Sequence, residues 1–365
     1  MDSGPVLEFD NVNCQFGSNV VVKSASFSLE RGQVLSLLGP SGCGKTTILR
    51  MASGLERAHA GRIVYRGDVV DNAKERIFVP PNKRDMGMVF QSYGIWPHMN
   101  VFENVAFPLR TRQESNELVT MKVEEILRQV GLQGFEKRSG TQLSGGQQQR
   151  VAVARGLVAN PGVLLMDEPF SNLDVKLRNQ LRAELKALQT RLGLSILFVT
   201  HDQAEALSLS DSVAVIQNGT IEQIGSPEEV YLNPATPFVR DFVGESIKLK
   251  GVIESDSNGR LCRLADGTLV RSEGLRRLSS SQMDCVVSIR PEDMIFRSEG
   301  QVSQTNQIEI LVETLLFQGP EYEASLATSN GERFMMRIAS HRMVRTGEKM
   351  RLYLPPDKVQ FWAES

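Results

Sequence analysis

The octapeptide Gly39-Pro40-Ser41-Gly42-Cys43-Gly44-Lys45-Thr46 fits the phosphate-binding pattern G-x-x-x-x-G-K-[ST]. Glycines let the backbone curl until successive N–H groups face phosphate oxygens. A helix N-terminus behind the loop adds partial positive charge. Lys45 is placed to reach the β- and γ-phosphates and the Thr46 hydroxyl to coordinate Mg²⁺, with Thr47 beside it against the nucleotide. A second pattern, Val163-Leu-Leu-Met-Asp-Glu168, is an apolar run ending in two carboxylates. A buried strand ends so only if the charges find a partner or an ion. Asp167 is expected to hold Mg²⁺ through water, and Glu168 to act as general base on the attacking water. In Leu143-Ser-Gly-Gly-Gln-Gln-Gln-Arg150, Ser144 is an N-cap residue type, while Gly145 and Gly146 permit close backbone approach. This reads as a second anion-binding helix start or as a plain capped helix. Together these residues predict a chain that binds and hydrolyses ATP with Mg²⁺.

The elements that must position them are legible. Val34 to Leu38 is a short apolar run of the buried-strand type, followed by the loop and then a helix pattern ending near Gly54. Val163 to Met166 and Ile196 to Val199 are further such runs. Between them Leu177, Leu181, Leu185, Leu188 and Leu192 recur at helical spacing behind Asp174, a good N-cap. Residues 92–160 read as a mostly helical subdomain. From about Gly244, short alternating stretches are separated by turn signals at Ser257-Asn258-Gly259, Asp266-Gly267 and Ser329-Asn330-Gly331. The expected organisation is an α/β P-loop NTPase over 1–240, with a mixed sheet and the helical subdomain. A small all-β OB-like barrel over 241–365 follows.

The 365 residues suffice for two cores, and 41% hydrophobic with 23% charged residues is ordinary for a globular chain. A net charge of -2 offers no basic field for nucleic acid or anionic lipid. No apolar run approaches a bilayer-spanning length. The start, MDSGPVLEFD, lacks the basic and apolar regions of a secretory leader. Cys14, Cys43, Cys262 and Cys285 are scattered, so neither a metal cluster nor a disulfide framework is expected.

The phosphate loop, LSGGQQQR and LLMDEP, in that order, resemble the ATP-binding subunits of ATP-binding-cassette (ABC) transporters. The run from Met86 to Leu109, Phe170-Ser-Asn-Leu-Asp174 and Ile289-Arg-Pro-Glu292 resemble the importer ATPases of the maltose, polyamine and ferric-iron group, which carry a TOBE-type barrel. The resemblance implies further roles. Gln91 matches a glutamine that senses Mg²⁺ and water, although it also reads as a polar strand end. His201 matches a histidine on the γ-phosphate, although a lone histidine after a strand is often structural. Phe16 falls where an aromatic stacks on adenine, or it is a core aromatic. Ser144, Gly145, Gly146 and Asp174 would complete the site of a second copy, implying a homodimer. Two membrane permease subunits, an indirect solute-binding protein and a peripheral place on the cytoplasmic membrane face are implied. No nucleic-acid partner is expected. No long heptad run lies between Thr46 and Leu143, unlike the DNA-repair cassettes, and one cassette is present where ribosome-binding members carry two. Ferric iron is the first expectation for the solute, with polyamine, sugar, phosphonate or sulfate as alternatives. Within Ser92 to Leu109, Tyr93, Trp96 and Met99 are expected nearer the permease groove than Phe107. Cys43, beside Lys45 and a helix N-terminus, is expected to have a lowered thiol pKa.

Overall fold

The computed structural model describes residues 4–256, 259–273, 284–297 and 305–363. The chain forms two compact units, Met1–Val239 and Arg240–Ser365. The first begins β1 (Leu7–Phe16), β2 (Asn19–Leu29), β3 (Val34–Leu38), α1 (Lys45–Ser53), β4 (Ala60–Tyr65), β5 (Asp68–Asn72), β6 (Ile77–Phe78) and β7 (Gly87–Val89). It continues α2 (Val101–Thr111), α3 (Asn116–Gln129), α4 (Gly145–Leu157), β8 (Leu164–Asp167), α5 (Val175–Leu192), β9 (Ile196–Thr200), α6 (Gln203–Leu209), β10 (Ser212–Gln217) and β11 (Thr220–Gly225).

Among the described residues these strands make two sheets. One has the order β2-β1-β4-β5-β6, the other β11-β10-β3-β9-β8-β7. In the second, β10, β3, β9, β8 and β7 run parallel and β11 closes one edge antiparallel. Every residue of β3 and β9 is buried, as continuous apolar runs in a sheet covered on both faces require. α1 covers one face through Ile48, Leu49, Met51 and Ala52. α4 and α5 belong to the core on the other side, with α2 and α3 packed beyond α4. The segment between β7 and β8 is helical, as its lack of strand pattern predicts.

One buried charge ties this unit together. Arg84 is 1% exposed, and its guanidinium donates to the carbonyls of Met51 and Ala52 at the end of α1, at 2.6 and 2.9 Å. It also donates to Val79 at 2.7 Å and Val70 at 3.2 Å, with Asp71 3.8 Å away. Burial pulls its pKa down to about 10, against the pull of Asp71, so the guanidinium remains charged at neutral pH. Cation and helix C-terminus are mutually favourable.

The second unit is all β: β12 (Ile247–Asp256), β13 (Gly259–Leu264), β14 (Leu269–Arg271), β15 (Asp284–Ile289), β16 (Ile295–Arg297), β17 (Gln307–Phe317), β18 (Glu321–Thr328), β19 (Arg333–Ala339), β20 (Lys349–Tyr353) and β21 (Gln360–Ala363). Its sheets, β14-β13-β12-β15-β21 and β16-β20-β17-β18-β19 among the described residues, share one apolar core that includes Leu249, Val287, Ile310, Leu326 and Phe361. The turns at Asp266-Gly267 and Ser329-Asn330-Gly331 lie where the residues predict. Ser257 and Asn258 of the first expected turn lie outside the described residues. In Ile289-Arg-Pro-Glu292, Arg290 donates to the Arg240 and Glu245 carbonyls and to Ser246 Oγ, fixing the chain that enters β12.

Replacing Arg84 by Met removes its bonds to four carbonyls, of which Met51 and Val70 keep a backbone donor, and takes the guanidinium away from Asp71. The expected loss of stability is about 3–5 kcal/mol. Urea unfolding measures it, and a loss below about 1 kcal/mol contradicts the anchoring role.

Candidate functional site

The phosphate loop leaves β3 at Leu38 and enters α1 at Lys45. Its shape depends on two positions without side chains. A Cβ on Gly39 would stand 2.3 Å from the Ile216 carbonyl oxygen, and one on Gly44, at φ +104°, 2.7 Å from that of Val21. The loop is therefore pressed between β10 and β2 and cannot relax outward. Gly219 N–H donates to the Cys43 carbonyl at 3.0 Å from the β10–β11 turn. Lys45 is buried, and its ammonium donates to the carbonyls of Gly39 and Pro40, both at 2.8 Å. Ser41, Gly42 and Thr46 are exposed, while Pro40 and Thr47 are half-buried.

Cys43 departs from expectation. It is buried, and burial pushes its thiol up despite the opposing pull of Lys45 3.7 Å away. The sulfur packs under the loop toward Gly39 instead of facing solvent beside the helix terminus.

The carboxylates end β8 beside this loop. Thr46 Oγ1 donates to Asp167 Oδ1 at 3.1 Å. Burial is the largest influence on the Asp167 carboxyl and raises its pKa, the Thr46 hydrogen bond opposing and Glu168 adding. Glu168 is the meeting point. His201 Nδ1 lies 3.1 Å from its Oε1, and Gln91 Nε2 donates to its Oε2 at 3.1 Å. Its backbone has φ +44°, a conformation unfavourable for a side-chain-bearing residue. That turn is held by Glu168 N–H donating to Val199, and by the Ser171 hydroxyl and N–H donating to the Glu168 carbonyl.

Several supporting residues escape a reading of motifs alone. Asn172 Nδ2 donates to the Gln91 carbonyl at 3.0 Å. After His201, Asp202 caps α6, accepting from Glu205 N–H at 3.1 Å, and pairs with Arg178 at 2.9 Å. Thr200 Oγ1 donates to the buried Glu205 at 2.6 Å, and burial raises the Glu205 pKa. The Asp-x-x-Glu spacing of Asp202 and Glu205 was a usable signal for this cap. Arg155 of α4 donates to the carbonyls of Tyr93 and Gly94 at 2.6 and 2.5 Å, just beyond Gln91.

Other expected residues stand apart from this cluster. Ser144 caps α4 in a reciprocal box with Gln147. Cβ atoms on Gly145 and Gly146 would meet Leu173 and Leu177 at 3.3 and 3.2 Å, so α4 starts hard against the region where α5 starts. Asp174 caps α5 through Leu177 N–H at 2.9 Å. Ser144, Gly145 and Asp174 are exposed, and among the described residues no hydrogen bond joins them to the phosphate loop. Phe16, at the end of β1, is 50% exposed and is therefore not a core aromatic.

The hydroxyl of Thr46 and the carboxylate of Asp167 stand side by side, oxygen ligands of the kind Mg²⁺ prefers. Among the described residues no cluster of three or more His, Cys, Asp or Glu could hold a metal ion.

The ABC transporter family model matches residues 22–171, and that of the TOBE domain residues 287–362. The chain is 40% identical over 360 residues to the spermidine/putrescine import ATP-binding protein PotA of Acetivibrio thermocellus, covering 98% of this chain and 96% of that protein. The chain belongs to the ABC transporter ATPases. The protein of the same name from Clostridium acetobutylicum is 39% identical over 359 residues, covering 98% and 97% of the two chains. The solved structure of cbiO1 from Clostridium perfringens, part of the ABC transporter complex cbiONQ, superposes with a TM-score of 0.57 at 26% identity. It covers 63% of this chain and 92% of its own.

The structure separates the aromatics of this segment of the ABC ATPase by burial. Tyr93 is 5% exposed, its φ of +61° and the Arg155 bonds turning it inward. Phe107 is 41% exposed, because Val101, Val105 and Leu109 occupy the buried face of α2. Phe107 lies against Trp96, with ring centroids 4.5 Å apart, and both line a surface cavity of about 390 Å³ with Met88, Phe90 and Arg155.

Two outcomes test the electrostatics. The unfolded Asp167 carboxyl titrates in the ordinary range and the folded one above it, so its contribution to stability is lost as pH rises through the folded value. Asp167→Asn, which cannot ionise, is expected to melt above the parent at pH 7.5 without nucleotide. The difference should vanish below the ordinary carboxylate pKa. Calorimetry across pH checks it; a lower melting temperature at pH 7.5 contradicts it. For Cys43, maleimide labelling of the native protein should be far slower than in urea, and equal rates would restore the activated-thiol reading.

Proposed function

We propose that this ABC ATPase energises polyamine import, working as a pair of identical copies beneath a membrane permease. The carrying observation is the pair of relatives, both named for spermidine and putrescine import and aligned over 98% of the chain. The expectation of ferric iron finds no support among them, whereas polyamine stood among the alternatives.

The residue roles in this reading are those the family resemblance implies, and the geometry is compatible with them. Lys45, held on the loop carbonyls, supplies the positive charge that the β- and γ-phosphates of ATP need. Thr46, Asp167 and Gln91 hold Mg²⁺, which when bound neutralises phosphate charge and orders water. Glu168 accepts the proton of the attacking water on its carboxylate. His201 and Gln91, each 3.1 Å from one of its oxygens, orient that carboxylate and face the γ-phosphate side. Phe16 offers an exposed ring to adenine. The backbone of Gly39 to Thr46, with Pro40, Ser41, Gly42, Cys43 and Gly44, cradles the phosphates, and Thr47 sits beside them.

Ser144, Gly145, Gly146 and Asp174 are exposed or at helix starts, and among the described residues none is hydrogen-bonded to the phosphate loop. They complete the site of a second copy, so that two helix N-termini share one triphosphate. Closure follows substrate binding because only the closed pair offers both termini, and hydrolysis removes that preference. The cavity at Trp96 and Phe107 receives the permease, placing the chain peripherally on the cytoplasmic membrane face. A solute-binding protein acts from the other side. No helix among the described residues is long and apolar enough to cross a membrane.

Reconstitution with its permease and binding protein in proteoliposomes tests the solute. Spermidine or putrescine should raise ATP hydrolysis and be taken up; stimulation by ferric iron alone would overturn the reading. Glu168→Gln should keep ATP binding and lower turnover by about 10²–10⁴. It should elute as a dimer with MgATP in gel filtration, and a monomer there would count against the shared site.

A further inference from the structure

The four cysteines are scattered in sequence, yet two of them meet. Cys262 lies on β13 and Cys285 on β15, 23 positions apart, and their sulfurs are 2.9 Å from each other. Both are fully buried, and no S–S bond joins them in the structure. β12 runs between the two strands, pairing Ile253 with Cys262 and Gly251 with Cys285. The meeting is possible because of Gly251. A Cβ there would stand 2.4 Å from Cys262 Sγ, so the sulfur fills the space that any side chain would claim. Contact at this distance is closer than two sulfurs adopt by packing alone. A covalent S–S bond would close the remaining gap of about 1 Å and, because both strands flank β12, would also draw the backbones of β13 and β15 toward each other.

We propose that Cys262 and Cys285 are an oxidative modification site, a thiol pair that closes to an internal disulfide when it meets a peroxide. The step balances. One sulfur attacks a peroxide oxygen, the O–O bond breaks, and with hydrogen peroxide a sulfenic acid and one water result. The second sulfur then attacks the sulfenic sulfur, its proton leaving with the hydroxyl as a second water. Two thiols are oxidised and one peroxide is reduced. Burial explains the choice of oxidant: a peroxide is about the size of water, whereas a bulky disulfide reagent cannot approach either sulfur. The neighbouring Cys285 and burial also raise the pKa of Cys262, which slows its attack on peroxide as well as ordinary thiolate exchange, so bond formation is slow and relies on the two sulfurs already being in contact. The bond would join β13 to β15 across β12 and cross-link the sheet β14-β13-β12-β15-β21. This site is independent of the polyamine reading.

The test uses the full-length native protein. It is treated with hydrogen peroxide, quenched with catalase, denatured in N-ethylmaleimide and mapped by mass spectrometry. The expected product is two hydrogens lighter, carries maleimide on Cys14 and Cys43 only, yields one peptide pair joining Cys262 to Cys285, and is restored by dithiothreitol. Cys285→Ser should abolish the cross-link and leave three alkylatable thiols. Gly251→Ala should slow bond formation at least tenfold by displacing the Cys262 sulfur. Four alkylated thiols in the treated parent, or a bond joining any other pair, would overturn the proposal. Because the parent is mapped directly, failure of either variant to fold leaves the test intact.

Discussion

The Glu168 carboxylate, shared between His201 and Gln91, is the interaction on which the site depends. Its two partners come from the strands flanking β8. Gln91 follows β7 and His201 follows β9. The parallel register sets this: Val89 opposes Met166, Asp167 opposes Val199, and Leu38 opposes Thr200. One sheet edge thus collects the phosphate loop, both carboxylates, the glutamine and the histidine. A one-residue slip of β8 would turn Asp167 and Glu168 to opposite faces and dissolve every contact at once. Full burial of β3 and β9 secures that register.

The positive φ of Glu168 belongs to the same constraint. A strand continuing straight would carry the second carboxylate away from its neighbours. The turn brings it between them, and the cost of that conformation is met by hydrogen bonds from Ser171 and to Val199. Asp167 remains on the strand, buried enough that its charge is unfavourable without a counter-ion. The two adjacent acids therefore differ in kind. One stays on the strand beside Thr46, the other is turned toward Gln91 and His201.

Much of this was legible because its causes are local. Continuous apolar runs announce parallel strands, glycine spacing announces the loop, and Asp174 and Ser144 announce helix starts. What stayed hidden depends on partners distant in sequence. Cys43 sits beside a lysine and a helix terminus, which argues for a reactive thiol, but packing under Gly39 decides otherwise. Tyr93 belongs to an apolar stretch that gives no sign of its left-handed backbone. Arg84 and Arg155 bond to main-chain carbonyls, and a carbonyl has no residue type to recognise. The Cys262–Cys285 contact requires knowing which strands flank β12.

Those two arginines also tie the segment that carries Gln91 to both parts of the first unit. Arg84, seven positions before it, is fixed to the last turn of α1, the helix that the phosphate loop begins. Arg155 of α4 grips Tyr93 and Gly94 just after it. The segment carrying Gln91 is therefore held at one end by the helix behind its own chain's phosphates. At the other end it is held by the helix whose N-terminus serves the neighbouring copy in the proposed pair. A rearrangement of α4 relative to α1 must act on this segment, because both grips are buried, charge-assisted and directed at backbone. Coupling of that kind needs no chain of side-chain contacts across the protein. It needs a short stretch of main chain, two guanidinium groups, and a glutamine between them bonded to the Glu168 carboxylate.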